Sequence, residues 1–215
     1  MSPLLFSIYA ESMMKDALNN VKEGVLIGGR LLKDVRFADD QVMVSSTNEG
    51  LQRLMDRLGK TAEEYGMKVN VKKTKTMVIS KTGPKIADIK IGQYEIEQVQ
   101  QFKYLGATVS DDGGCELEIK CRIALAKQAY IKRRYLLTSK ICLSLRKRLM
   151  KTLVWPVLLY GCETWTMKKA VKSRLEAFKM WIWRRMAKVS WKDKRTNEEV
   201  LQIVGESRQL LKKIP

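Results

Sequence analysis

Two adjacent carboxylates, Asp39 and Asp40, are the residues of this chain whose types and spacing best suit chemistry. Apolar residues alternate with polar ones on both sides, at Val35 and Phe37 before the pair and at Val42 after it, which predicts two half-buried strands joined at the acids. At a tight turn both carboxylates can reach one point, where oxygen ligands suit Mg²⁺ or Mn²⁺. The pattern predicts a metal site for phosphoryl transfer. A purely structural turn is the alternative, because Asp is favoured in turns for local reasons.

The segments around this turn predict a mixed α+β architecture. Helices are predicted over 3–19 and 48–66, the second introduced by the cap-forming pair Thr47 and Asn48. Gly92 and Gln93 separate two apolar runs and predict a hairpin. The predicted strands cover 25–28, 31–37, 41–45, 75–79, 86–91, 94–99 and 102–108, with a turn over 81–84.

Beyond Gly113 and Gly114 the apolar spacing changes from strand-like to helical. Pro156 should kink the second helix of this half. The predicted helices cover 115–139, 144–160, 170–188 and 197–204. One apolar face of the third helix is formed by Val171, Leu175, Phe178 and Ile182.

Basic residues are concentrated in the second half of the chain. The sequence has 41 Lys and Arg against 23 Asp and Glu, a net charge of +18, of which residues 101–215 contribute +16. This excess favours binding to phosphate backbones over a merely solubilising surface. A membrane surface is a weaker alternative, since neither terminus forms an amphipathic anchor. The candidate backbone contacts are Arg133, Arg134, Arg146, Lys147, Arg148, Lys151, Arg184 and Arg185.

The tryptophans divide into two groups. Trp155 and Trp165 lie in apolar surroundings, which predicts core packing. Trp181, Trp183 and Trp191 lie among basic residues, where one is a candidate for stacking on nucleic acid while the others close a helical core.

The residue inventory excludes several function classes. Histidine is absent from the sequence, which excludes Ser–His and Cys–His catalysis and Cys₂His₂ zinc sites in these residues. Cysteines 115, 121, 142 and 162 lack Cys-x-x-Cys spacing and are predicted to be free, buried thiols. No secretory signal opens the sequence, and its longest uncharged stretch, 152–162, is too short to span a bilayer. An intracellular protein, nuclear or cytoplasmic, with no membrane partner is expected.

Five segments together resemble the reverse transcriptases of non-LTR (LINE-type) retrotransposons, and the resemblance covers nearly the whole chain. Met1–Glu11 is similar to the second half of the family's motif B, Phe37–Asp40 to motif C and Gly66–Thr74 to motif D. Phe102–Gly106 resembles the primer-grip hairpin, and Tyr160–Trp165 a segment of the helical region that follows. The order and spacing of the five carry the resemblance.

The resemblance implies an RNA-directed DNA polymerase that copies an RNA template onto a DNA primer or target from dNTPs. Asp39 and Asp40 would bind Mg²⁺ or Mn²⁺ as catalytic carboxylates of a two-metal mechanism, and Lys73 would act near the leaving pyrophosphate. The other implied contacts are Ser2, Pro3, Phe6 and Phe37 at the nucleotide and template site, and Phe102, Tyr104, Leu105 and Gly106 at the primer end.

The same resemblance divides the chain into a partial palm over 1–85, a hairpin and primer-grip region over 86–112, and a basic helical thumb with the carboxyl-terminal region over 113–215. In this family the first catalytic aspartate lies on a strand before motif B. We therefore expect the chain to be the carboxyl-side part of a polymerase and to be inactive in isolation. The alternative function is a non-catalytic nucleic-acid-binding remnant that keeps the basic thumb.

Overall fold

The computed structural model describes residues 3–80 and 85–206, apart from the side chains of Pro3 and Trp191. The chain divides into two compact units, Met1–Phe102 and Lys103–Pro215. Helices and short strands are mixed in the first unit, and helices dominate the second, so the predicted α+β class is confirmed. The boundary between the units falls inside the predicted primer-grip hairpin. The predicted turn over 81–84 lies outside the described residues.

The first unit contains two long helices and several short strands. Its elements are α1 (Pro3–Ala17), β1 (Val25–Ile27), β2 (Arg30–Leu32), β3 (Asp34–Phe37), β4 (Asp40–Met43), α2 (Asn48–Glu64), β5 (Lys75–Thr76), β6 (Lys90–Ile91), β7 (Tyr94–Glu95) and β8 (Glu97–Gln98). The pairs β1–β2, β3–β4 and β6–β7 are antiparallel, whereas β5 and β8 pair in parallel. Both helices begin where predicted, and the Thr47 hydroxyl caps α2 by accepting the Gly50 amide at 3.0 Å.

Three strands of the first unit are shorter than predicted. Only Lys75–Thr76 and Lys90–Ile91 pair within the predicted strands 75–79 and 86–91, and the predicted strand 94–99 is broken at Ile96. The Ile96 side chain is buried, and its amide donates to the Ile89 carbonyl at 2.9 Å. The chain changes partner strand at Ile96, since β7 pairs with β6 and β8 pairs with β5.

The core of the first unit lies between α1, α2 and the segment 87–96. It is formed by Met13, Met14, Ala17, Met55, Leu58, Ala62, Ala87, Ile89 and Ile96. The apolar residues of α2 recur at helical spacing, so one stripe of the helix faces this core while its polar face meets solvent.

The second unit begins with a hairpin and continues as a helical bundle. Its elements are β9 (Gln101–Tyr104, which crosses the unit boundary), β10 (Ala107–Ser110), α3 (Glu116–Lys132), α4 (Arg134–Leu137), α5 (Leu143–Leu153), α6 (Trp155–Leu158), α7 (Lys169–Met186) and α8 (Asn197–Val204), with 3-10 turns at Cys162–Thr164 and Trp191–Asp193. The prediction of one strand over 102–108 is wrong, because Leu105 and Gly106 take positive φ and turn the chain. The predicted kink at Pro156 is confirmed, since α5 ends just before Val154 and α6 starts at Trp155.

Helical periodicity identified the core of the second unit. The predicted apolar face of α7 (Val171, Leu175, Phe178 and Ile182) is buried, as are Trp155, Trp165 and Trp183. All four cysteines are free as predicted, but Cys121 and Cys142 are exposed and the other two only partly buried, so the prediction of buried thiols is wrong. None of the described helices combines the length and apolar character of a bilayer-spanning segment.

Candidate active site

Asp39 and Asp40 lie at the tip of the β3–β4 hairpin. Phe37 pairs with Asp40 across the strands, so Ala38 and Asp39 form a two-residue turn. Ala38 takes φ +53°, a left-handed conformation that is unfavourable for a residue with a Cβ atom. Backbone strain of this kind persists where the surrounding structure imposes it and is concentrated at functional sites.

The two faces of this hairpin differ. Because side chains opposite each other in an antiparallel pair share a face, Asp40 lies on the same face as Phe37, Val35 and Val42. Phe37 is 62% exposed and Val35 is also exposed, so the prediction that these apolar residues are half-buried is wrong. The opposite face carries Met43, which packs against the core of the first unit. This face of the hairpin is therefore the one that turns inward.

An arginine that sequence analysis missed joins the hairpin to α1. Arg36 pairs through Nε with Asp34 Oδ2 at 2.5 Å and through Nη1 with Glu11 Oε2 at 2.6 Å. Glu11 lies in the segment that resembles motif B, whereas Arg36 and Asp34 lie on β3. The Arg36–Glu11 ion pair therefore joins the two segments in which sequence analysis placed the nucleotide and metal sites, and the Arg36–Asp34 pair lies within β3.

Both aspartates are exposed and take part in no ion pair among the described residues. No group of three or more His, Cys, Asp or Glu side chains is positioned to hold a metal ion within the described ranges. Two hard carboxylates at an exposed tip fit an oxygen-ligated divalent ion, and such ions also take ligands from substrate phosphates and water.

The other predicted site residues of the first unit that the structure describes include Phe6 and Lys73, whose side chains are exposed. Phe6 is exposed on α1, which Pro3 opens, while Ser2 lies outside the described residues. Lys73 is exposed in a turn in which its amide donates to the Asn70 carbonyl at 3.1 Å. Its role at the leaving group stays a prediction.

The predicted primer-grip residues of the second unit form the tip of the β9–β10 hairpin. Leu105 (φ +47°) and Gly106 (φ +80°) make the turn, and Leu105 is 37% exposed. The Tyr160 hydroxyl donates to the Leu105 carbonyl at 2.6 Å. Tyr160 begins the fifth segment of the family resemblance, so two of those segments touch within one unit. Phe102 lies on the same hairpin at the unit boundary and Tyr104 is partly buried.

Several of the predicted phosphate contacts make hydrogen bonds within the fold. Arg184 is 5% exposed, and its Nη2 donates to the Arg195 carbonyl at 2.8 Å, so its assignment to the nucleic-acid surface is corrected. Arg146 donates to the carbonyls of Ile141 and Met186 at 2.9 and 2.7 Å. These bonds form because guanidinium groups satisfy carbonyls left open at helix ends and in loops.

Lys147 and Lys151 are engaged at the end of α8. Lys147 Nζ donates to the carbonyls of Val204 and Gly205 at 3.0 and 3.1 Å, and both lysines pair with Glu206. Of the predicted set, Arg134, Arg148 and Arg185 are exposed, Lys151 is exposed but paired, and Arg133 is partly buried. Exposed Lys132, Lys169, Lys172, Arg174 and Lys188 add to the positive surface.

Trp181 is partly buried in an aromatic cluster. Its ring packs against Phe178 and Tyr130 with centroid distances of 5.8 and 5.2 Å. Arg185 lies over the ring, with Cζ 3.9 Å from its centroid. The guanidinium occupies the position that a stacked base would need, which supports a packing role for this tryptophan.

Residues 1–109 of the 215 match the model of the reverse transcriptase (RNA-dependent DNA polymerase) family. The match covers half of the chain, and the chain belongs to the reverse transcriptase family. Members of this family act on nucleic-acid templates with nucleotide substrates and depend on divalent metal ions.

Relatives in transposable elements agree with this assignment. The chain is 24% identical over 192 residues to an uncharacterised transposon-derived protein of Caenorhabditis elegans, covering 86% of this chain and 68% of that protein. It is 30% identical over 130 residues to the retrovirus-related Pol polyprotein from the type-1 retrotransposable element R2 of Nasonia vitripennis, covering 55% of this chain and 12% of the polyprotein. The corresponding type-2 element polyprotein of Drosophila melanogaster is 28% identical over 123 residues, covering 53% of this chain and 11% of the polyprotein. The chain thus spans a small part of either polyprotein, and the resemblance to non-LTR reverse transcriptases is confirmed.

Proposed function

We propose that this chain contributes the motif C carboxylates and a basic helical region to an RNA-directed DNA polymerase of a non-LTR retrotransposon. The observation that carries the proposal is the exposed Asp39–Asp40 tip within the 109 residues that match the family. In this role Asp39 and Asp40 would hold Mg²⁺ or Mn²⁺, which would supply positive charge to neutralise the phosphates during nucleotidyl transfer. Template, primer and dNTPs are the corresponding partners.

The residues around the tip support this role. Phe37 shares the exposed face of Asp40 and is positioned to contact a base or sugar beside the metal ligands. The Arg36 ion pairs fix the hairpin against α1, where Phe6 is exposed. A rigid scaffold with exposed carboxylates at its edge suits a reaction in which positioning and electrostatics supply most of the catalysis.

A second function, nucleic-acid binding without chemistry, is favoured by the charge of the second unit. Residues 101–215 carry +16, and many of their cations are exposed. This alternative requires neither Asp39 nor Asp40, so a change at the hairpin tip distinguishes the two functions.

The test is Mg²⁺-dependent primer extension on a defined RNA template. It compares the chain with a chimera in which the polymerase region preceding the matched segment of the Nasonia polyprotein is placed before residue 1. Each protein is assayed beside its Asp39→Ala and Glu64→Ala variants, the second being an exposed carboxylate at the end of α2. We expect extension by the chimera that Asp39→Ala abolishes and Glu64→Ala leaves unchanged. Hybrid binding without Asp39-dependent extension in any protein would favour the non-catalytic function.

A further inference from the structure

Two of the tryptophans that sequence analysis connected with base stacking are occupied by the fold. Trp183 is buried, and the ring of Trp181 is covered by the Arg185 guanidinium. A nucleobase stacks only on a ring with an open face, which neither of these two side chains offers. An open aromatic face is found instead on α4, at Tyr135.

Tyr135 has the most exposed large apolar or aromatic side chain in the described part of the chain, at 85%. Within that part the side chain makes no hydrogen bond and contacts no other ring. Other tyrosines of the second unit differ, since Tyr130 is buried and the Tyr160 hydroxyl donates to the Leu105 carbonyl. The Tyr135 ring therefore contributes little to packing and is available to a ligand.

The outward direction of this ring is set by the way α4 is anchored. Leu137 lies two positions further on and is fully buried. Side chains two positions apart on a helix point to nearly opposite sides, so burial of Leu137 turns Tyr135 away from the core. The Thr138 hydroxyl donates to the Arg134 carbonyl at 2.8 Å and closes the end of the helix. The ring is thus presented by a fixed element.

The surroundings of Tyr135 are positively charged. Lys132 and Arg134 flank it and are both exposed. No Asp or Glu occurs in the sequence between Glu118 and Glu163. Helix α4 packs against α3 and α5, and α5 contains no acid, while the acidic residues of α3 lie in its first turn, at the end away from α4. The surface that these three helices supply around the ring therefore attracts anions.

This combination fits nucleic acid better than a protein partner. The centre of a protein interface is depleted of charged residues, whereas single-stranded nucleic acid is bound by aromatic faces interleaved with cations. Exposed Ile131 and Leu136 extend the apolar surface next to the ring. A paired base inside a duplex already has neighbours on both faces, so the ring can stack only on an unpaired base.

We propose that Tyr135 stacks on an unpaired base of single-stranded nucleic acid while Lys132 and Arg134 bind the adjoining phosphates. This inference rests on the nucleic-acid binding that both proposed functions require. Every base has an aromatic face, so the site accepts RNA or DNA without sequence preference. It lies outside residues 1–109, the part of the chain that matches the family.

The test measures binding of the full chain to four labelled probes of equal length by fluorescence anisotropy. The probes are oligouridine, oligothymidine, an abasic DNA strand and a blunt RNA–DNA hybrid. We expect Tyr135→Ala to weaken binding to the preferred base-carrying strand about tenfold, which corresponds to the loss of one base stack. Binding to the abasic strand and to the hybrid should stay unchanged. Comparison of oligouridine with oligothymidine shows whether RNA or DNA supplies the unpaired base.

Further variants separate stacking from apolar contact and from charge. Tyr135→Phe keeps the aromatic face and should bind as the wild type, whereas Tyr135→Leu should behave like Tyr135→Ala. Joint replacement of Lys132 and Arg134 by Gln should weaken binding to all four probes, the abasic strand included, because phosphate contacts are lost. Tyr94→Ala is the matched control, since this ring of the first unit is 68% exposed beside Glu95. It should leave every affinity unchanged.

Three results would overturn the stacking site. The first is undiminished binding of Tyr135→Ala to both base-carrying strands, and the second is an equal loss for these strands and the hybrid. The third is wild-type affinity in Tyr135→Leu, which would show that any apolar side chain suffices. Sedimentation of the same variants tests the other occupant, because a change in oligomeric state in Tyr135→Ala would assign the ring to an interface between copies of this chain.

The outcomes also separate this site from the proposed function. A wild type that binds none of the probes would contradict both. Tyr135-independent binding to single strands together with Asp39-dependent primer extension would overturn the stacking site alone. Tyr135-dependent binding without Asp39-dependent extension in the chimera would support the stacking site and contradict the polymerase function.

Discussion

Asp39 and Asp40 contribute little to the stability of the first unit, whereas nearby charged residues form ion pairs that stabilise it. Glu11 and Asp34 are both paired with Arg36, which fixes β3 against α1. The two aspartates are exposed and lie outside these ion pairs. Single substitutions can therefore test which charged side chains stabilise the fold and which ones are available to bind a ligand.

The hairpin tip should bind divalent metal weakly. With two carboxylate ligands we expect a dissociation constant for Mn²⁺ on the order of 10⁻³ M, because most oxygen ligands must come from water. Asp39→Ala should abolish the binding while leaving the unfolding transition unchanged, since the side chain is exposed. Isothermal titration gives the first quantity and urea denaturation the second. Equal Mn²⁺ affinity in Asp39→Ala and in the matched Glu64→Ala variant would mean that the tip is only a turn.

Glu206 should make the second unit sensitive to acid. Burial raises the pKa of its carboxyl, but hydrogen bonds from Lys151 and Lys147 outweigh burial and hold the pKa below its ordinary value of 4.5. A carboxyl whose pKa is lower in the folded state stabilises the fold above its unfolded pKa, and this stability is lost as the pH falls through the folded value. Glu206→Gln should therefore reduce the free energy of unfolding by about 1 kcal/mol at pH 7.

The difference between wild type and Glu206→Gln should shrink as the pH falls below 4.5. Urea denaturation at a series of pH values measures it, with Glu198→Gln on the first turn of α8 as a matched surface change. A difference that stays constant down to pH 3 would show that the ion pairs with Lys147 and Lys151 are not its source.

At the scale of secondary-structure elements, the β9–β10 hairpin combines an unfavourable turn sequence with strong external support. Replacing Leu105 by Asn supplies the residue that tolerates φ +47° best after glycine, and it leaves the two turn carbonyls available to the Tyr160 hydroxyl and the Arg122 guanidinium. We expect Leu105→Asn to raise the free energy of unfolding by about 1 kcal/mol.

Chemical denaturation measures this change in the free energy of unfolding. Leu105→Ala serves as control, since it removes the apolar side chain without relieving the backbone. Equal free energies of unfolding for Leu105→Asn and Leu105→Ala would show that the left-handed backbone conformation at this position is not the source of the effect.

Elements with strong helical periodicity could be predicted from sequence, and short strands could not. The α7 face was predicted because four apolar residues recur at helical spacing over a long segment, which few alternative structures satisfy. The strands β5 to β8 each contain two paired residues, too few to produce an alternating pattern. Sequence analysis predicted one continuous strand through Leu105, because leucine is rarely found in turns.

The candidate site was also only partly predictable from the sequence. Asp39 and Asp40 were identified because adjacent acids between apolar runs are unusual, and their exposure at a hairpin tip agrees with that prediction. Arg184 illustrates the failure, since a cation inside a basic cluster gives no sign in the sequence that it is buried and bound to the carbonyl of Arg195 in the loop after α7. The buried ion pair between Glu118 and Arg122 on α3 was missed for a different reason, because Glu and Arg at this spacing are common on exposed helix faces.

At the scale of the whole molecule, the second unit carries nearly all of the net charge. Binding of the chain to an RNA–DNA hybrid should weaken linearly in log affinity against log salt concentration, without sequence preference. Changing Arg134, Arg148 and Lys172 together to Gln should reduce the salt slope by about 0.9 for each phosphate that is no longer neutralised. These cations are exposed, whereas Arg146 and Lys147 also hold the fold and would confuse the test.

Salt titration of a fluorescent hybrid measures the slope. The matched control changes Lys22, Lys60 and Lys68 of the first unit, which are equally exposed, to Gln. An equal reduction in both triple variants would show that binding follows total charge rather than the surface of the second unit.

The two-residue turn between Phe37 and Asp40 also bears on how such a sequence decays over evolutionary time. The length of the turn selects its geometry, so the gain or loss of one codon between Phe37 and Asp40 would change the turn type and displace the two carboxylates relative to β3. Longer loops elsewhere in the chain can absorb such a change, because each added residue costs little closure entropy. Among copies of this element that accumulate in-frame insertions and deletions without selection, metal binding at this tip should be lost while the second unit still folds.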